Sequence, residues 1–398
     1  MSNSLPDHPH PGHIKKQAKA LLRDGKASKP DALRRFTRHH PLFEKGIAAP
    51  ESLKLQEAQH VVAREYESPC WSKLMSSIAV DTSQQKPDSS GILLFTNGKS
   101  AVDLLNESGV PGCKEEWVDV LHTGPVPQTE TDQELNRVRA RYLSECGWGG
   151  FQGIVSRFAA RDQLLADPEQ FTELQLWFEH DLFDQLLLIQ LIDRIGSHPE
   201  WIPKTSLYQF ETYLGRLAPE SLPKACPTPV ALTQEHIQEA RRCWKAFRSS
   251  DSTELPHVVD QLGSCLPYLK SAMIRLLEEI PSKEGGVGRT ERQILQAIDA
   301  GCTSPQKIFQ WSQAQEEAVF MGDGSFYLLL ETLLTSENPL VSLKGKKPFL
   351  HPSEGGYSDA FRAQHLSLTE CGKRVCSTEN AEDFYKHPPF WLGGVEIF

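Results

Sequence analysis

The chain lacks most of the patterns that announce a function. No apolar run approaches the roughly 18 residues that cross a bilayer, so no membrane-spanning helix is expected. No Cys-x-x-Cys pair occurs. The nine cysteines (Cys70, Cys113, Cys146, Cys226, Cys243, Cys265, Cys302, Cys371 and Cys376) are dispersed, which reads as reduced thiols and not as a disulfide frame or zinc knuckle. There is no Gly-x-Ser-x-Gly elbow, no His-Glu-x-x-His helix, no Walker loop and no dinucleotide fingerprint. No repeat recurs at a fixed period. The start, Met1-Ser2-Asn3-Ser4-Leu5-Pro6, has no apolar core of the secretory kind. A cytoplasmic protein is the expectation.

Hydrophobic residues at 39% and charged residues at 24% point to a globular chain, and 398 residues exceed one ordinary core. Net charge is -10 but uneven: residues 1–80 hold 13 Lys and Arg against 8 Asp and Glu, which leaves the remainder near -15. That acidic body disfavours non-specific nucleic-acid binding. The basic head reads as docked or solvated.

Periodicity divides the chain into four parts. Residues 1–78 contain a small helical unit, with Ile14, Ala18 and Leu21 on one stripe, Phe36 in a second helix and Ala58 and Val62 in a third. Ser68-Pro69 opens a fourth. His8, His10 and His13 sit in a Pro-rich tail that reads as disordered. Residues 79–90 are polar and aperiodic, a linker. From 91 to 285, strands at Ile92–Phe95, Trp117–Leu121, Leu174–Phe178 and Thr205–Phe210 alternate with helices, which favours a mostly parallel sheet covered by helices. Thr233 caps one helix of an extension, and another runs from Leu266 to Ile280. Residues 286–398 read helix, helix, helix, strand, strand, the order of a winged-helix-like module; Thr290 with Gln293 fits a capping box at its start.

The run Trp177-Phe178-Glu179-His180-Asp181-Leu182-Phe183-Asp184-Gln185 is the most informative stretch. Three ionisable groups at a strand-to-helix junction are costly to bury without a partner or a task. One carboxylate, Glu179 or Asp181, could orient His180 as an acid or base; Asp181 also suits a helix N-cap. His122 ends a predicted strand at the same sheet edge, and with the acids it could hold a divalent metal, although no metal ligands are assigned. Asn97-Gly98-Lys99-Ser100 follows a strand and opens a helix, where backbone donors, Ser100 and the Lys99 ammonium suit an anion. Among Arg137, Arg139 and Arg141, Arg141 beside Tyr142 is the favoured anion clamp.

Several of these segments carry a resemblance. The Asn97-Gly98-x-Ser100 turn, the segment Val120-Leu121-His122-x-Gly124-Pro125-Val126-Pro127 and the Trp177–Gln185 run resemble the bacterial family called "domain of unknown function 1835". Arg289-Thr290-Glu291-Arg292, Met321-Gly322-Asp323, Leu368-Thr369-x-x-Gly372 and Trp391-Leu392-Gly393-Gly394-Val395 resemble its usual C-terminal companion. Residues 12–78 are similar to a helical segment that heads some ankyrin-repeat-like proteins. The family's commonest turn reads Asn-Gly-Asp-Ser, and Lys99 stands in the aspartate place here. The resemblance implies domain boundaries and a site, but no reaction and no cofactor. The sequence thus leads to a small anionic, nucleotide- or phosphate-like ligand at the carboxyl rim of the sheet, with acid/base chemistry left open. A regulatory protein with a protein partner is the alternative, and oligomeric state stays open.

Overall fold

The computed structural model describes residues 11–40, 53–66, 68, 71, 74–75, 90–282, 285–345, 348–352, 357–377, 381 and 384–397. The His8–His10 tail, most of the helix expected after Ser68 and the linker before Ser90 lie outside them. The chain forms two compact units, residues 1–86 and 87–398.

The first unit packs α1 (Pro11–Lys26), α2 (Pro30–His39) and α3 (Leu55–Glu65). Its core is the expected stripe: Ile14, Ala18, Leu21, Phe36, Ala58 and Val62 are all buried. Arg35 forks onto the buried Glu65 with two 2.7 Å bonds.

The second unit is mixed α/β. Its sheet runs β2 (Cys113–Glu116), β1 (Ile92–Thr96), β3 (Glu173–Glu179), β4 (Thr205–Phe210) and β5 (Val230–Ala231). The first four are mutually parallel, and β5 adds an antiparallel edge. Both faces are covered. Leu94, Trp177 and Phe210 pack under α4 (Lys99–Glu107), while Leu93, Phe95, Leu176 and Phe178 face a larger core built on α7 (Leu182–Ile195). That is why β1 and β3 read as apolar runs instead of alternating patterns. The chain leaves β1 for β2 on one side and places β3 on the other. Strand order therefore reverses between β1 and β3, and such a reversal opens a crevice at the strands' carboxyl ends.

One expected strand is displaced. Trp117–Leu121 is not in the sheet; β2 is the polar stretch Cys113-Lys114-Glu115-Glu116 before it. The Trp117 amide still bonds the Thr96 carbonyl at 2.8 Å, and then the chain peels away. The buried Arg139 of α5 (Asp132–Glu145) provides the reason. It bonds Asp119 and the carbonyls of Val120, Thr123 and Pro125. Arg161 of α6 (Phe151–Leu165) bonds the Val118 carbonyl at 3.0 Å. Two guanidinium groups thus satisfy backbone acceptors that a neighbouring strand would otherwise have to meet.

Beyond the sheet come α8 (Gln234–Phe247), α9 (Glu254–Asp260), α10 (Leu269–Leu277), α11 (Arg289–Asp299), α12 (Pro305–Gln313) and α13 (Asp323–Thr335). Strands β6 (Val341–Leu343) and β7 (Leu366–Leu368) pair antiparallel. After α14 (Glu370–Ser377), β8 (Phe390–Leu392) and β9 (Val395–Ile397) form a hairpin. The capping box expected at Thr290 and Gln293 is shifted: Glu291 accepts the Gly288 amide at 3.0 Å. Thr290 instead donates to Glu279, and Gln293 bonds Glu316 and Ser312.

Candidate functional site

The carboxyl ends of β1 and β3 bring together Asn97 and the first turn of α7. Asp181 caps that helix, accepting the Asp184 amide at 3.2 Å. Asp184 is fully buried. Both its oxygens take the Asn97 side-chain amide, at 2.9 and 3.1 Å, and one also takes the Glu179 backbone amide. Glu179 accepts the Leu214 amide at 2.6 Å. One carboxylate oxygen from each of Glu179, Asp181 and Asp184 lies within 4.8 Å of the other two. Among the described residues no Lys, Arg or His forms an ion pair with any of the three. Burial, reinforced by the neighbouring acids, pushes the Asp181 carboxyl up to about 7 and raises Asp184 well above its ordinary range. Burial also raises Glu179, against the pull of its hydrogen bonds. The centre of this rim is therefore a cluster of three carboxyl groups with no basic partner among the described residues.

Around it, the residues named from sequence separate. His180 is half-buried, with its ring 5.2 Å from Tyr213 and 6.0 Å from Tyr268. No hydrogen bond joins it to Glu179 or Asp181 among the described residues, so the expected carboxylate-oriented histidine is not formed. Successive strand residues point to opposite faces, which is why Glu179 and His180 part. Gly98 precedes α4, and Ser100 is exposed on its first turn beside Gly215. Lys99 is exposed and bonds Asp103 at 2.8 Å, one turn along the same helix. Arg141 is exposed, and Arg139 is the buried member of its group.

His122 leads to a second feature. Its ring packs 6.1 Å from Phe183, the residue before Asp184, and 5.2 Å from Phe320. It is only 8% exposed, and neither ring nitrogen has a hydrogen-bond partner among the described residues. Burial, then the nearby Arg139 and Arg275, pulls its pKa down to about 3, so the imidazole is neutral at physiological pH. It lines a cavity of about 280 Å³ walled by Tyr142, Trp148, Phe390 and Trp391, with Glu279, Glu291 and His387 as further polar groups. His387 holds Glu291 with two 2.8 Å contacts through Nε2 and the Pro388 carbonyl at 2.6 Å through Nδ1. Both partners are acceptors, so both ring nitrogens carry hydrogens. Burial opposes that charge, but Glu291 outweighs it and the pKa of His387 is raised.

Sequence reasoning missed Trp148, Glu279 and His387, which come from segments far apart in the chain. The available signal was that four quoted motifs converge here: His122–Gly124, Glu291, Met321 and Trp391 all line the same cavity. Against models of protein families and against curated protein sequences, the chain gives no match.

Proposed function

We propose that residues 87–398 form a small-molecule-binding unit whose ligand occupies the His122 cavity. The carrying observation is His122 itself. An unpaired buried polar group costs about 1–3 kcal/mol; both His122 nitrogens are unpaired and closed off beneath the cavity wall, and a ligand that draws the ring outward would give one a donor and the other an acceptor. The aromatic walls suit a flat ring, such as the base of a nucleotide. The nucleotide-like ligand expected from sequence is therefore retained but moved. An anion over Asn97–Ser100 would meet three buried carboxylates, and Lys99 is already engaged by Asp103. His387, whose two ring nitrogens both face acceptors, also supplies the cavity with a proton donor, while neutral His122 supplies a hydrogen-bonding group and, with so low a pKa, not a base. The resemblance to the "domain of unknown function 1835" family belongs to this proposal, since its quoted motifs supply cavity residues.

The test is thermal shift of the full chain against a panel of nucleobases, nucleosides and nucleotides, with His122→Phe in parallel. Phenylalanine removes the unpaired nitrogens at similar volume, so His122→Phe should match or exceed the wild type in unliganded stability while losing the ligand shift. A wild type that responds to no panel member, or a variant destabilised by more than about 2 kcal/mol, sinks the proposal.

A second reading concerns the C-terminal region. Its order, α11, α12, α13, then antiparallel β6 and β7, is that of a winged-helix module. Residues 289–398 hold 10 Lys and Arg against 14 Asp and Glu, and this charge favours docking of a protein over DNA. The full chain should leave duplex DNA unshifted in a low-salt gel; a salt-sensitive shift reverses that choice.

A further inference from the structure

We propose that Glu179, Asp181 and Asp184, together with the side-chain carbonyl of Gln185, hold a divalent cation at the carboxyl edge of β1 and β3. This inference goes beyond the cavity reading and rests on different residues.

Spacing comes first. Ligand oxygens of a hard divalent cation stand about 2.0–2.6 Å from it. Oxygens sharing one ion therefore lie no more than roughly 5 Å apart, and one oxygen from each of the three carboxylates lies within 4.8 Å of the others. The donors already present are neutral: the Asn97 amide and the backbone amides of Glu179, Asp184 and Leu214. They orient the carboxylates without cancelling their charge.

Gln185 provides the independent observation. Its side chain is 0% exposed. Its Nε2 donates to the Glu179 carbonyl at 2.8 Å, which fixes the amide's orientation and leaves Oε1 as a pure acceptor with no donor among the described residues. Covalent geometry keeps that oxygen near the Glu179 carbonyl, and the amide of the same residue holds Asp184. The Gln185 backbone amide bonds the Asp181 carbonyl at 3.0 Å, so Gln185 is tied to two of the three acidic residues. Thr96 adds another buried oxygen, a hydroxyl without a partner among the described residues. It is the register partner of Trp177, so it shares a sheet face with Glu179. A cation held by the carboxylates would give these buried oxygens a partner as well. The donor set is all oxygen, with neither sulfur nor imidazole, which selects Mg²⁺, Mn²⁺ or Ca²⁺ over zinc.

The test uses Mn²⁺ with the full chain after chelator treatment. Electron paramagnetic resonance should show about one equivalent of Mn²⁺ leaving the free-ion signal, and calcium or magnesium should compete it back. Asp181→Asn keeps a helix-capping oxygen, so it should fold, yet bind Mn²⁺ at least tenfold more weakly. Gln185→Leu, which leaves every carboxylate in place, should also weaken binding. Metal-free Asp181→Asn should melt no lower than metal-free wild type, because one buried like charge is gone, and only the wild type should gain stability from Mn²⁺. No Mn²⁺ uptake by the wild type, or equal uptake by the wild type and Asp181→Asn, overturns the proposal. Either result leaves the His122 cavity untouched, so the two readings fail separately.

Discussion

At the scale of single residues, the two cavity histidines carry opposite pH signatures. His387 has a raised folded pKa, because Glu291 outweighs the burial that opposes its charge. Its contribution is fully present below the unfolded value near 6.5 and is lost as pH rises through the folded value. His122 behaves in the other sense: as pH falls below about 6.5 the unfolded chain gains a proton that the folded one refuses until about 3, so stability drains on the acid side. The excess melting temperature of the wild type over His387→Gln should therefore be largest near pH 6 and shrink towards pH 9, as read by thermal unfolding across that range. A difference that stays flat or grows with pH would mean that the imidazolium–carboxylate pair does not form. His122 could be picked out in the sequence because it stands alone before a Gly-Pro turn. His387 could not: its partner Glu291 lies 96 positions away, and neither residue has a local pattern that names the other.

Elements were legible where one force dominated. Helix α7 runs Leu182–Ile195 as expected, because an aspartate cap is followed by a segment apolar almost all round, with twelve of its residues buried. Strand β4 likewise keeps its expected bounds. Strand β2 was misplaced because its residues carry no apolar alternation: it lies at the sheet edge, and only Cys113 in it is buried. The apolar segment that follows looks like a strand but is held by Arg139 and Arg161, two long-range contacts that strand propensity does not register. Asp184 fell between these cases. Its position three residues after a cap marked an ordinary first helical turn, and only the return of Asn97 from β1 makes it the centre of the rim.

For the whole molecule, the open question is whether residues 286–398 are a domain of their own. The hydrophobic contacts run through that boundary without a break: Leu176, Phe178 and Leu188 belong to the same continuous core as Ile294, Phe326 and Phe361. Polar contacts cross it as well. Arg275 forks onto Glu316 at 2.7 and 2.8 Å, and the Arg289 amide bonds the Glu278 carbonyl at 2.8 Å. The turn of the last hairpin is threaded into the α/β body, with the Val126 amide on the Gly393 carbonyl at 2.6 Å and the Gly394 amide on the Phe247 carbonyl at 2.9 Å. A side chain at Gly393 would strike that same Phe247 carbonyl, so the close approach demands glycine. Cutting at 285 would expose apolar surface on both pieces and strip Arg275 of Glu316, leaving it Glu279 at 2.7 Å. Residues 87–398 should therefore unfold in one cooperative transition. The 87–285 fragment should be insoluble, or lack a cooperative transition in calorimetry, until residues 286–398 are supplied. A sharp independent transition from 87–285 alone would restore the two-domain division. It would also remove the cavity's far wall from the folding unit, because Glu291, His387 and Trp391 all come from beyond the cut.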